Sequence, residues 1–144
     1  MVPAVSWPER AKRRLNEAGF RAGAARQKVI ELLGGESCAV TALEIDRRLP
    51  NVGRASVYRT LEQLEQLELV HRVDVGGEVV AFERNDPGGH HHHMVCNRCG
   101  RLVPFADPAL ERAIEGIGER AEFEITAHDV LLRGVCPRCS ERDN

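Results

Sequence analysis

Two Cys-x-x-Cys pairs are the groups in this chain best suited to binding a metal ion. The first consists of Cys96 and Cys99, and the second consists of Cys136 and Cys139. Zinc binds four thiolates in a tetrahedron, and each Cys-x-x-Cys turn can direct two sulfurs at one ion at about 2.3 Å. Because such a closed shell leaves no position for a substrate, we predict a structural zinc site. Two redox dithiols are the alternative, although a thioredoxin-like context is missing.

A run of histidines, His90 to His93, leads directly into the first cysteine pair. If this segment is extended, side chains alternate, so His91 and His93 face one way while His90 and His92 face the other. One run could therefore contribute to two sites. Further potential ligands are His71, Glu83, Glu111 and His128. Imidazole and carboxylate together suit Zn, Fe(II), Mn or Ni, and a solvated polar loop is the alternative.

The remaining cysteine, Cys38, stands alone in the sequence GGESCAV. We interpret it as a small buried residue near the start of a helix. In a chain without a secretory signal, cysteines are more often metal ligands or thiols than disulfides. No apolar run reaches the length of a membrane span, so we expect a soluble, cytoplasmic protein that has no membrane partner and no small-molecule substrate.

Capping signals and apolar periodicity predict four helices in the first half of the chain. They run from the Ser6 and Glu9 capping box to about Ala18, from about Ala24 to Leu33, from Thr41 to Leu49, and from about Arg54 to Leu67. Two β-rich runs around Gly76 and Gly77 then predict a hairpin. Helices followed by such a hairpin are typical of a winged helix-turn-helix, whose recognition helix enters the major groove of DNA.

The start of the fourth helix holds the side chains that could contact DNA. They are Arg54, Ser56, Tyr58 and Arg59. The net charge of −2 argues against binding through overall charge, but residues 9–28 hold seven Lys or Arg against two Glu. From residue 85 onward, seven Arg stand against ten Asp or Glu, which predicts two halves with different roles. The alternative is that Tyr58 and Arg59 only cover a helix surface.

The turn-forming stretch ERNDPGG marks a domain boundary. We predict a DNA-binding domain at residues 1–84, a hinge at 85–89 and a second domain at 90–144. In the second domain, RLVPF indicates a strand, a helix runs from Asp107 to about Ile117, and EFEITAHDVLLRGVC supplies two more β-like stretches. This is a small α/β module in a chain of α+β class. Because its core is small, we expect it to form a homodimer.

Three motifs together resemble the ferric uptake regulator family of bacterial metal-dependent repressors. They are the winged helix with VYRTLEQLEQLELV, the block HHHHMVCNRCG and the terminal GVCPRC. The resemblance covers nearly the whole chain, and the motifs occur together in order. It implies a homodimer that binds double-stranded operator DNA when metal at the hinge holds the two DNA-binding domains at the correct spacing.

The resemblance also implies roles for individual residues. The structural zinc site is Cys96, Cys99, Cys136 and Cys139. The regulatory hinge site is His71, Glu83, His91 and His93. The possible third site, in the dimerisation domain, is His90, His92, Glu111 and His128. Tyr58 and Arg59 match the tyrosine and arginine of the recognition helix, and Arg26 resembles an arginine of the second helix that contacts the DNA backbone.

Departures from the family pattern bear on which metal is sensed. Iron and peroxide sensors of the family usually have a histidine near Ala39, and peroxide sensors use an acidic residue near Pro104. Zinc sensors draw a ligand from the first wing strand, where His71 lies, and zinc accepts three nitrogens with one oxygen. The chain therefore resembles the zinc uptake regulator type, without the cysteine that zinc sensors often carry near residues 83–86. A response to iron, manganese or peroxide is the alternative.

Two other classes of protein compete with the regulator. A zinc-storage protein or metallochaperone would explain the histidines but not the wing, Tyr58 or Arg59. A metal-dependent hydrolase needs an open coordination position and a substrate cleft, and no such residue set is recognisable. We therefore expect a DNA-binding repressor, which is not an enzyme.

Overall fold

The computed structural model describes residues 4–21, 23–86 and 89–142. The chain divides into two compact units, Met1–Gly89 and His90–Asn144. Both units contain helices and strands, which confirms the predicted α+β class. The predicted hinge includes residues 87 and 88, which lie outside the described residues. Across the described ranges, no helix is both long enough and apolar enough to cross a membrane.

The first unit contains the predicted helices with nearly the predicted ends. They are α1 (Trp7–Glu17), α2 (Ala24–Gly34), α3 (Ala42–Arg48) and α4 (Arg54–Gln66). The capping box of α1 is formed in both directions, because the Ser6 hydroxyl accepts from the Glu9 backbone N–H and the Glu9 carboxylate accepts from that of Ser6. The Thr41 hydroxyl caps α3 by accepting from the Glu44 N–H at 3.0 Å. These side chains satisfy N–H groups that have no partner within their helix.

A three-stranded antiparallel sheet packs with the helices and includes the predicted hairpin. Its strands are β1 (Val40–Thr41), β2 (Val70–Asp74) and β3 (Val80–Arg84), in the order β1-β3-β2. Gly76 and Gly77 both have positive φ, 89° and 67°, which glycine adopts without strain. The short strand β1 was not predicted, because two residues show no periodicity. The register places His71 directly opposite Glu83.

The core of the first unit lies between the helices and the sheet. Its buried residues include Trp7, Leu15, Ile30, Leu33, Ile45, Val57, Leu61, Leu64, Val70 and Phe82. The indole N–H of Trp7 donates to the Leu69 carbonyl at 3.0 Å, which fastens α1 to the start of the wing. Helix α4 contributes Val57, Leu61 and Leu64 to this core, so it is held by its apolar face.

Truncation of Leu61 is expected to destabilise this unit. Leu61 is fully buried, so Leu61→Ala should cost about 2–5 kcal/mol of unfolding free energy through lost transfer energy and a residual cavity. Leu43 is the matched control, because it is also a helical leucine but is 50% exposed. In urea denaturation, the midpoint should fall strongly for Leu61→Ala and change little for Leu43→Ala. Equal midpoints for the two variants would contradict this core assignment.

The second unit contains a separate three-stranded sheet and two helices. Its elements are β4 (His92–Cys96), β5 (Leu102–Phe105), α5 (Pro108–Ala121), β6 (Leu131–Gly134) and α6 (Pro137–Glu141). The strand order is β5-β4-β6, with β4 antiparallel to β5 and parallel to β6. The strand that ends at Cys96 is thus the central strand of this sheet.

Two details of the second unit differ from the sequence-based expectation. Helix α5 continues to Ala121 instead of ending near Ile117. The nearby Gly118 does not break the helix; a Cβ there would lie 2.8 Å from Ile125 Cγ1, so glycine permits close packing of the returning chain. Of the two β-like stretches expected after α5, only β6 is a strand, and the segment containing Phe123 and Ile125 forms no strand within the described part of this chain.

Candidate metal centres and DNA-binding face

The two Cys-x-x-Cys turns meet in one cluster. Each of the four cysteines, Cys96, Cys99, Cys136 and Cys139, offers a sulfur atom, and these atoms all lie within 4.8 Å of one another. The Sγ atoms of Cys99 and Cys136 are 3.7 Å apart. Sulfurs at the corners of a tetrahedral zinc site, with bonds of about 2.3 Å, are separated by about 3.8 Å. The donor set and its spacing therefore fit a closed zinc site.

Backbone geometry prepares the cluster to hold negative charge. The Cys136 N–H donates to the Cys96 sulfur at 3.3 Å. Hydrogen bonds from the backbone at Cys136 and Cys99 lower the pKa of the Cys96 thiol to about 6. The Cys139 thiol donates to the Cys136 sulfur, which raises the pKa of Cys139 to about 12. The pKa of Cys136 is lowered, first by a hydrogen bond from the Cys139 backbone and then by that thiol. Metal binding requires thiolates, so an ion entering here displaces the protons that the sulfurs share.

A second cluster forms between the central strand and helix α5. Its members are His90, His92, Glu111 and His128, whose ligand atoms also lie within 4.8 Å of one another. The Nε2 atom of His92 is 2.5 Å from Glu111 Oε1, and that of His128 is 2.7 Å from Oε2. His90 Nε2 lies 3.1 Å from His128 Nε2. Three imidazole nitrogens and one carboxylate converge, which is a donor set that zinc, iron, manganese or nickel accepts.

Glu111 is the centre of this second cluster. It lies in the first turn of α5, which Asp107 caps by accepting from the Ala109 N–H at 2.8 Å. Hydrogen bonds from His92, and then from His128, lower the pKa of the Glu111 carboxyl group. The ionised carboxylate therefore remains available to a cation at neutral pH.

Glu111→Ala is expected to lower the affinity of the second cluster for metal by at least about tenfold, since loss of even an outer-shell partner has that effect. Glu115→Ala is the matched control, because Glu115 lies one turn further along the same helix and is exposed. Metal content after dialysis against a weak chelator should fall for Glu111→Ala only. Retention of metal by both variants would show that the second cluster is not a metal site.

The residues assigned to the hinge site lie in both units. In the first unit, His71 on β2 places its Nε2 atom 3.7 Å from Glu83 Oε2 on β3, and the Glu83 side chain is 5% exposed. In the second unit, the rings of His91 and His93 have centroids 5.0 Å apart. Each pair therefore presents donors close together within its own unit.

The start of α4 is exposed and basic. Tyr58 is 44% exposed, and the Arg54 side chain is 69% exposed while it pairs with Asp46 at 3.2 Å. Arg59 is exposed and Ser56 is half-buried. The first turn of α4 holds no acidic residue. This end of the helix can therefore approach a phosphate backbone and the base edges of a groove.

Arg26 occupies a different environment from the other arginines. It is 7% exposed, and its guanidinium donates to the Phe20 carbonyl and to Asn16 Oδ1, both at 2.9 Å. These contacts brace the connection between α1 and α2. From the sequence, Arg26 was expected only to contact DNA, and this internal role was not predicted.

Two further features of the first unit were not recognised from the sequence. Asn85, which follows β3, forms a hydrogen bond with the Nδ1 atom of His71 on β2, and this contact has no sequence signal. Cys38 is half-buried, and burial raises the pKa of its thiol. That environment keeps Cys38 protonated, but its side chain is only half-buried, whereas a buried residue was predicted.

The fold contains a winged helix and the side chains form clusters of potential metal ligands, and comparisons with known proteins define the family. The sequence model of the Ferric uptake regulator family matches residues 17–133. The chain is 36% identical to the Ferric uptake regulation protein of Legionella pneumophila over 87% of this chain and 95% of that protein. It is 29% identical to the Peroxide-responsive repressor PerR of Staphylococcus epidermidis over 90% of this chain and 88% of that protein.

A solved structure gives the same result. The crystal structure of the Vibrio cholerae ferric uptake regulator matches with a TM-score of 0.77 and 30% identity, over 87% of this chain and 98% of that chain. The chain belongs to the ferric uptake regulator family. It is therefore a metal-responsive, DNA-binding transcriptional regulator and not an enzyme. Regulators of this family bind operator DNA and are dimeric.

Proposed function

We propose that this chain is a zinc-responsive repressor, which binds operator DNA as a homodimer when zinc occupies a hinge site of His71, Glu83, His91 and His93. The observation that carries the proposal is the pairing of His71 with Glu83 across the wing, with Nε2 and Oε2 separated by 3.7 Å. Three nitrogens and one oxygen form a set that zinc accepts in a tetrahedron. The four cysteines hold a second, structural zinc in this proposal.

The proposed mechanism is a shift between populations of the dimer. Residues 85–89 act as a hinge between a DNA-binding domain at 1–84 and a dimerisation domain at 90–144, and the metal-free dimer samples several arrangements. Bound metal supplies ligand bonds that favour the arrangement able to engage DNA. A coupling free energy of about 1–3 kcal/mol between metal binding and DNA binding is typical for each site. Because a dimer has two sites, their effects on operator affinity multiply.

The DNA contacts in this proposal come from Arg54, Ser56, Tyr58 and Arg59. The exposure of Arg54, Tyr58 and Arg59 at the start of α4 supports the assignment. Arg26 acts by bracing α1 against α2, because its guanidinium is already bonded to Phe20 and Asn16.

Arg59→Ala is expected to weaken operator binding by about 1–3 kcal/mol if the guanidinium reads a base. If it contacts a phosphate, the slope of log affinity against log salt concentration should instead decrease in magnitude by about one. Arg120→Ala is the control, since Arg120 is an exposed arginine in the last turn of α5. Fluorescence anisotropy at several salt concentrations distinguishes the two modes. Binding equal to that of Arg120→Ala at every salt concentration would exclude Arg59 from the interface.

A second candidate is an iron or manganese response, or a peroxide response. It is favoured by the names of similar proteins, a Ferric uptake regulation protein and a Peroxide-responsive repressor. The second cluster, with its three histidines and Glu111, is the possible third metal site in either case and holds an ion that stabilises the second unit.

The deciding experiment measures DNA binding against free metal concentration. The protein should keep zinc at its four cysteines while its other sites are stripped, and the DNA should be selected from random duplexes separately with each metal. Buffered Zn(II), Mn(II) and anaerobic Fe(II) are then titrated in parallel. Activation by zinc at far lower free concentration supports the zinc-responsive repressor. Activation by Fe(II) or Mn(II), with no specific effect of zinc, establishes the second candidate instead.

A further inference from the structure

Asn85, the first residue after β3, has each of its polar groups in a hydrogen bond. Its backbone N–H donates to the Leu69 carbonyl at 2.8 Å, and its side-chain amide donates to the Glu68 carbonyl at 2.7 Å. Its own carbonyl accepts from the Arg10 guanidinium at 2.6 Å. The remaining group, Oδ1, meets the Nδ1 atom of His71. The position and orientation of the amide are therefore fixed.

This orientation determines which nitrogen of His71 carries a hydrogen. A backbone carbonyl only accepts, so the nitrogen of the Asn85 amide must face Glu68 and the oxygen must face His71. An amide oxygen also only accepts, so His71 Nδ1 must be the donor. In the neutral ring the lone pair then lies on Nε2, the atom that is 3.7 Å from Glu83 Oε2.

We propose that Asn85 is a positioning residue for metal binding, which holds His71 as the Nδ1–H tautomer and aims its Nε2 lone pair toward the ion that Glu83 also binds. This inference rests on the proposed role of His71 as a ligand of the regulatory ion. A ligating histidine commonly donates its other ring N–H to an oxygen, which fixes the ring and increases its basicity. Asn85 supplies that oxygen here.

The need for such a residue follows from the exposure of His71. Its side chain is 48% exposed, so packing alone does not select one rotamer. The hydrogen bond from Nδ1 to Asn85 restricts the ring before the ion arrives, which lowers the conformational cost of binding. Asn85 is in turn anchored at the Leu69 carbonyl, which also accepts from the buried Trp7 indole.

The first test reads the tautomer directly. Long-range ¹⁵N NMR of protein that keeps zinc at the four cysteines, but has its regulatory site stripped, should show that the neutral His71 ring carries its hydrogen on Nδ1 and none on Nε2. Asn85→Leu removes the acceptor and should move His71 toward the Nε2–H form that free histidine prefers. Asn85→Asp retains an acceptor oxygen and should preserve the Nδ1–H form. Nε2–H in the unmodified protein would overturn the proposal.

The second test measures the zinc affinity of the same protein in a buffered zinc titration. Asn85→Leu should weaken zinc binding at the regulatory site about 10- to 100-fold, while Asn85→Asp should remain within a few-fold of the unmodified protein. Asn51→Leu is the matched control, because Asn51 is an exposed asparagine in the turn after α3. Thermal unfolding identifies any variant whose weaker binding reflects loss of the fold.

Comparison with His71→Ala separates the two ways in which these ideas could fail. If His71→Ala weakens zinc binding and a folded Asn85→Leu does not, the positioning role is wrong and the proposed hinge site survives. If His71→Ala binds zinc as tightly as the unmodified protein, His71 is not a ligand, and both proposals fall. Weak binding by both variants, with recovery in Asn85→Asp, supports the positioning role.

Discussion

Cys96→Ser is expected to release metal from the four-cysteine cluster and to unfold the His90–Asn144 unit. Structural zinc contributes an apparent free energy of about 10–16 kcal/mol in small zinc-binding domains near neutral pH, and this is folding energy. The second unit has little to replace it. Among the described residues, its buried apolar side chains are Val95 and Cys96, whereas the extended core belongs to the first unit. Small units of this kind depend on a metal, a disulfide or association with another chain.

Four measurements follow this change in each unit. Metal content should fall by the zinc of the cysteine cluster, and amide hydrogen exchange should lose its protection across residues 90–142. Trp7 is the chain's single tryptophan and lies in the core of the first unit, so its fluorescence should remain native. Loss of dimers in sedimentation analysis should accompany the loss of protection, because the dimerisation domain is proposed to lie in the unit that unfolds.

Cys38→Ser is the matched control for this experiment. Cys38 lies in the first unit, outside the cluster of four cysteines, and the same change in chemistry there should leave the clustered zinc and the exchange pattern of residues 90–142 unchanged. A Cys96→Ser protein that is folded, dimeric and free of zinc would refute the structural role of the site.

Local signals in the sequence were sufficient to predict the helices of the first unit and the two clusters of potential ligands in the second unit. The Ser6 and Glu9 capping box forms as predicted because its partners are three residues apart, so no tertiary contact is needed to place them. The Cys-x-x-Cys spacing likewise restricts two sulfurs to one turn, and the four-cysteine cluster is present. Alternation along an extended strand predicts that His90 and His92 share a face, and both lie in the cluster with Glu111.

Features that depend on contacts distant in sequence were not predictable in this way. In the sequence, Gly118 resembles the end of a helix. In the structure it leaves room for the Ile125 side chain, and this contact cannot be predicted from the helix propensity of glycine alone. The segment after α5 that contains Phe123 and Ile125 has the alternation of a strand but no partner strand within the described part of the chain. The tautomer of His71 depends on Asn85, and the orientation of Asn85 depends in turn on the Glu68 carbonyl.

His91→Ala is expected to abolish the metal dependence of operator binding while the protein stays folded and dimeric. Removing one ligand weakens the regulatory site, so the ion no longer favours the DNA-binding arrangement. With coupling of about 1–3 kcal/mol per site, each site accounts for roughly a 5- to 150-fold change in operator affinity, and the dimer has two in this proposal. Fluorescence anisotropy of labelled operator, with and without the activating metal, measures this ratio directly.

His90→Ala is the informative comparison, because His90 precedes His91 in the chain but belongs to the cluster around Glu111. For His90→Ala, the ratio of operator affinities with and without metal should remain close to that of the unmodified protein. For His91→Ala, this ratio should approach one. Because both substitutions remove one imidazole from the same histidine run, a general effect of histidine loss would appear equally in both. Normal metal-dependent binding by His91→Ala, or equal losses in the two variants, would show that regulation does not depend on the hinge site as assigned.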